Sequence, residues 1–116
     1  VVSFNIFKEA KDMRERALTL YTEERIRDIH GLSKTYNQKI RNDHSRRLLE
    51  LMASHTAEIQ SLWEEQDRHF LVETGDLIVL CLELLVEYEA SMEDILKTCF
   101  ERYEKKLTQL LADTGS

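Results

Sequence analysis

Proline is absent from the 116 residues, and glycine occurs only at Gly31, Gly75 and Gly115. Sandwiches, barrels and βα units need turn residues about every ten positions, which this chain does not supply. All-β and α/β folds are thereby excluded. A chain with 33% charged and only 8% aromatic residues would suit disorder, but its 42% apolar residues fall in regular stripes. Order is expected outside the ends.

From Phe4 to Tyr21 the apolar residues Ile6, Ala10, Met13, Ala17 and Leu20 recur at the α-helical period, with Phe7 and Tyr21 widening the same face. A narrower stripe follows at Ile29, Leu32, Tyr36, Ile40, Leu48, Leu51, Ile59, Leu62 and Phe70. Its mean step of about 3.7 residues is nearer an 11-residue repeat than a heptad, so nearly straight or slightly right-handed helices are expected. The stripe resumes at Leu77, Cys81, Leu84, Tyr88, Met92, Ile95, Cys99, Tyr103, Leu107 and Leu110, where Leu80, Leu82, Leu85 and Val86 broaden it beyond a seam. This last helix must be covered on several sides.

Two turns are expected, at His30-Gly31-Leu32-Ser33 and at Thr74-Gly75-Asp76, where glycine can take the left-handed cap and Asp76 can cap the next helix. The stripe also runs through Gly31 in register, so the first two helices are continuous if that glycine is tolerated. The expected fold is all-α: two or three long antiparallel helices, about 4-30, 32-73 and 76-112, forming a single coiled-coil or bundle module over residues 1-116. A lone hairpin would leave the apolar run Leu77 to Val86 open to water, so self-association as a homodimer, or next a tetramer, is expected to cover it. The expected association core is Leu77, Leu80, Leu84, Leu85 and Tyr88, faced by Ile59, Leu62 and Phe70.

The charges are unevenly placed. Lys8 to Arg47 carries a net +4 and Leu48 to Ser116 a net −10, within a total of −6. The halves should attract one another within a chain or between chains. Lys34, Lys39, Arg41, Arg46 and Arg47 concentrate positive charge opposed only by Asp43. They read either as the complement of the acidic half or, as the alternative function, as contacts to nucleic-acid phosphates or an anionic membrane.

Cys81 and Cys99, if on one helix, lie about 27 Å apart, which rules out a bridge between them. They read as small core residues of a reducing, intracellular compartment, cytoplasmic or nuclear. The run Leu77 to Val86 contains Glu83 and is far shorter than the about 20 apolar residues of a bilayer span. The opening Val1-Val2-Ser3-Phe4 has no initiator Met and no cleavage-type segment after it, so it reads as part of a larger protein rather than as a signal peptide.

His44, His55 and Gln66 are spaced by eleven and are expected to form polar layers in the seam, fixing register or acting as a pH-sensitive switch. No Glu-x-x-His pair of the di-iron kind occurs, and Glu65 with His69 reads as a surface salt link, so no metal site or cofactor is expected. Neither a nucleophile elbow nor a Gly-rich phosphate loop is present, and no enzymatic activity or small-molecule substrate is expected. Trp63, beside the stripe, is the candidate anchor for a partner. The expected role is a structural scaffold that joins copies of a larger protein or organises a complex, with a helical adaptor receiving a partner helix as a further alternative.

Overall fold

The computed structural model describes the backbone of residues 2–115 and the side chains at 5–17 and 20–115; Val1 and Ser116, the ends of the expected module, lie outside the described residues. The fold is all-α: α1 (Val2–Lys39), α2 (His44–Glu64), α3 (Phe70–Glu87) and α4 (Met92–Gly115), packed as a small bundle with no strand among the described residues. At 38 residues, α1 is about 57 Å long and sets the 59 Å long dimension of the molecule. α2 and α3 form the tightest pair, α1 packs on both of them, and α4, among the described residues, approaches closely only the α3 backbone. None of these helices is long and apolar enough, over the described residues, to cross a membrane.

There are four helices rather than two or three, and the breaks are not at the glycines. The expected 32-73 helix is divided among the end of α1, all of α2 and the start of α3, so its stripe passes through three separate helices. Gly31 and Gly75 sit inside α1 and α3, and no glycine has a positive φ. The left-handed positions are taken instead by Arg41 (φ 60°), Gln66 (φ 62°) and Glu89 (φ 54°).

Each of these residues closes a helix by the same paired hydrogen bonds. Arg41 N donates to the Gln38 carbonyl (3.2 Å) and Asn42 N to that of Asn37 (2.9 Å). Gln66 and Asp67 bond back in the same way to Trp63 and Leu62, and Glu89 and Ala90 to Val86 and Leu85. These are Schellman closures, which satisfy carbonyls that the helix end would otherwise orphan.

Polar side chains start the next helix at once. Asp43 accepts from Arg46 N at 2.8 Å, Asp67 from His69 N at 2.9 Å, and Ser91 from Asp94 N at 3.3 Å. The bonds of Asp43 and Ser91 are N-caps, each stabilising its helix by about 1 kcal/mol, whereas Asp67 acts within the turn before α3, whose N-cap residue His69 makes no side-chain cap bond. These bonds fix the three reversals at positions where glycine content gives no sign of a turn.

The apolar core is small. Among the described residues only Ile26, Leu48 and Leu80 are buried hydrophobic side chains, one each from α1, α2 and α3. Polar groups are buried as well: Asn37, His44, Glu73 and Glu83.

Candidate functional site

The three helices of the core bring histidine and carboxylate together at the end nearest the α1–α2 turn. The chain reversal at 40–43 places His44, the first residue of α2, against the last turns of α1, while antiparallel α3 delivers its final residue, Glu87, to the same end. His30 Nε2 lies 2.6 Å from Glu87 Oε2, and His44 Nε2 lies 3.7 Å from the same oxygen. The two imidazoles stand edge to face, 5.3 Å between centroids. Lys34, one turn beyond His30, donates from Nζ to Glu87 Oε1 at 2.9 Å.

The other ring nitrogen of His44, Nδ1, is 2.9 Å from Asn37 Nδ2. His44 Nε2 is buried and makes no hydrogen bond. This is the one such side-chain atom among the described residues. Nearby, Ser33 Oγ donates to the buried Glu83, and Tyr88 OH donates to Ser45 Oγ at 3.1 Å.

Burial by itself pushes the Glu87 carboxyl up, but hydrogen bonds from His30 and Lys34, with the charges of Lys34 and His44, outweigh it and hold the group below its usual range. The compensation is needed twice over. A carboxylate at a helix C-terminus also meets the negative end of the helix dipole, and α3 has no basic residue of its own in its last turn. The positive groups come from α1 and α2.

The opposite end of α3 repeats the pairing. His55 Nδ1 meets Glu73 Oε2 at 2.7 Å and His69 Nε2 meets Glu73 Oε1 at 3.5 Å, with Glu58 close to the His55–Glu73 pair. All four histidines therefore face one of two glutamates of α3. His69 pairs with Glu73 and not with Glu65, the partner expected from spacing.

The expected residues are distributed as follows. His44 and His55 both point from α2 toward α3 carboxylates, whereas Gln66 occupies the left-handed turn after α2, is exposed, and shares no layer with them. Leu80 is buried within the chain and Leu77, Leu84, Leu85, Ile59, Leu62 and Phe70 are half-buried, while Tyr88 and Trp63 are exposed. Lys34 is engaged by Glu87 and Arg47 by Glu50 (3.4 Å); Lys39, Arg41 and Arg46 are exposed around the α1–α2 turn. Cys81 and Cys99 are free, half-buried and on different helices, α3 and α4, so they are not separated by five turns of one helix. Burial raises the Cys81 thiol.

The convergence of His30, His44 and Glu87 escapes the sequence reading because the residues lie 14 and 43 positions apart on three helices. No local spacing carries it. The nearest sequence signal is that His30 and Lys34 are one helical turn apart and share a face.

A second feature is the apolar surface left open. On α4, Leu96, Phe100, Tyr103, Leu107, Leu110 and Leu111 are all exposed, and α4 has no buried residue. On the first half of α1, Ile6, Phe7, Met13, Leu20 and Tyr21 are exposed as well. Between these helices opens a cleft of about 620 Å³, with Thr22 and Glu23 on one wall and Met92, Leu96 and Phe100 on the other. No protein-family model, curated protein or solved structure matches the chain.

Proposed function

We propose that this chain is a helical assembly module whose role is structural: it associates with a second copy of itself and so joins the proteins that carry it. The observation behind this reading is surface that a single copy leaves uncovered. A compact chain of 13.7 kDa exposes about 6,600 Å², whereas this one exposes 9782 Å². Its radius of gyration is 18.8 Å, against about 13 Å for a compact chain of this length. The excess, about 3,000 Å² per copy, is more than the roughly 1,000–2,500 Å² per copy that obligate dimers bury.

The open surface is of the right kind. The stripe from Leu96 to Leu111 runs along one face of α4 at helical spacing, and the first half of α1 offers a second stripe across the cleft. Charge does not oppose a second copy as the occupant, because the start of α1 (residues 2–21) carries a net charge of only +1 and α4 a net charge of only −1. A two-fold pairing would set α4 of one copy into the α1–α4 cleft of the other, twice. The association surface proposed here is therefore α4 with the start of α1, while the Leu77 to Leu85 segment is engaged largely within its own chain.

Light scattering on a size-exclusion column tests the proposal. The expected mass is twice 13.7 kDa, and Phe100→Asp with Leu107→Asp should halve it without loss of helical circular dichroism, because both side chains are exposed in the single chain. A wild-type mass that stays at one chain across the concentration series would overturn self-association.

A further inference from the structure

We infer that His30, His44 and Glu87 form a binding site for a divalent transition-metal ion of the zinc class, which ties α1, α2 and α3 together at one end of the bundle. His30, His44 and Glu87 each offer one ligand atom within 4.8 Å of the other two, one donor from each helix. Two imidazoles and one carboxylate are a donor set that zinc and its neighbours accept, with water completing four-coordination. Metal–ligand bonds of 2.0–2.1 Å put tetrahedral ligand atoms about 3.3 Å apart. The His30–Glu87 distance of 2.6 Å and the His44–Glu87 distance of 3.7 Å fall on either side of that spacing.

The orphaned nitrogen points to a ligand independently of this clustering. The His44 side chain is 7% exposed, and its Nε2 faces Glu87 with no hydrogen bond. A buried polar atom without a partner costs about 1–3 kcal/mol. If the Asn37 amide donates to Nδ1, Nε2 carries an unsatisfied proton. If the amide is turned so that its oxygen accepts from Nδ1–H, Nε2 presents a lone pair to a carboxylate oxygen, and a cation between the two resolves the conflict. In that second arrangement Asn37, itself buried, is the outer partner that orients a metal-bound imidazole.

The other charged groups are compatible with an ion. Lys34 occupies Glu87 Oε1 and leaves Oε2 to the histidines, while Glu83 is turned to Ser33. The cluster at His55, Glu58 and Glu73 has no buried orphaned atom among the described residues, and its Glu58 is exposed. It serves as an internal comparison. With only Ile26, Leu48 and Leu80 buried as hydrophobic side chains among the described residues, binding at the first cluster is also folding energy.

Protein treated with chelator and titrated with zinc chloride by calorimetry tests the site. One ion per chain is expected, read from the stoichiometry of the titration. His30→Gln and His44→Gln should each weaken uptake by more than the about 10–100-fold that loss of an outer-shell partner costs; His69→Gln should leave it unchanged. Cobalt(II) in the wild type should show tetrahedral d–d bands, and the ring signals of His30 and His44 should shift in zinc-titrated wild-type protein even if a variant fails to fold. Absence of uptake, uptake indifferent to His44→Gln, or ring shifts confined to His55 and His69 would each overturn the assignment.

Discussion

His55 and Glu73 meet at 2.7 Å across the α2–α3 pair, 18 residues apart in sequence, and repeat at one end of α3 the contact that His30 makes with Glu87 at the other. The two glutamates are not equivalent. Glu73 lies in the first turn of α3, where the helix dipole favours a carboxylate, and Glu87 is the last residue, where the dipole opposes one. Only the second needs cations from other helices, and this difference leads to the first prediction.

Stability should fall in acid through Glu87. Its carboxyl titrates lower in the folded chain than its ordinary value, after burial, which acts upward, is outweighed by His30, Lys34 and His44. The contribution is then complete above about pH 4.3 and is lost as pH drops through the folded value. Urea midpoints measured from pH 5 to pH 3 should decline, and Glu87→Gln should decline less steeply while starting about 1–3 kcal/mol lower at neutral pH. Parallel curves for the two proteins would show that the acid sensitivity resides elsewhere.

Glycine is placed where the helices do not need it and missing where the turns would accept it. A Cβ at Gly31 or Gly75 meets nothing within 4 Å, so Gly31→Ala and Gly75→Ala should each add about 0.5–1 kcal/mol. Arg41→Gly, Gln66→Gly and Glu89→Gly relieve left-handed backbone and should each add about 0.5 kcal/mol after the entropy of the freer unfolded chain is subtracted. Thermal melts check both sets; a lower Tm for the alanine variants would place a helix break at the glycines after all.

Leu48 is 1% exposed and stands at the middle of a very small core. Leu48→Ala should cost about 2–5 kcal/mol, against a stability that for most domains is only about 5–15 kcal/mol. Circular dichroism should find the Tm of the variant lowered by more than about ten degrees. A Tm within a few degrees of wild type would mean that the core extends beyond the side chains one chain buries.

For the assembly surface, the sharper comparison is between neighbours on α4. Phe100 and Leu107 lie on the open apolar stripe, whereas Lys105 is an exposed charged residue of the same helix. Phe100→Asp should shift the dimer dissociation constant upward by at least about 100-fold, some 2.7 kcal/mol, while Lys105→Glu should change it less than about tenfold. Sedimentation equilibrium measures both. Equal effects would indicate that general electrostatics, not this face, governs association.

The helical class was legible because absent proline, scarce glycine and the period of apolar residues all agree. The breaks were harder. Asp43 and Ser91, which cap the helices after them, and Asp67, which bonds within the turn before α3, are the signals that mark them, but polar residues are common in this chain and Gly31 and Gly75 drew the turns to themselves. Arg41, Gln66 and Glu89 carry no compositional hint of a left-handed conformation. His44 and His55 were legible as inward-facing from their spacing of eleven. Gln66, next in that series, was not distinguishable from them until the Schellman closure removed it from the helix. The meeting of His30 with Glu87 depends on two chain reversals and is not written in any local pattern.

Because α4, among the described residues, packs its backbone closely against α3 alone, its amides should report the unfolding of the other three helices only weakly. An isolated helix of 24 residues is intrinsically short-lived in water, and what persists in it is set by whatever rests on its surface. Hydrogen exchange in α4 should then slow with protein concentration while exchange in α2 holds constant. The helix would act as a built-in gauge of occupancy, distinguishing a chain that is folded from one that is also assembled.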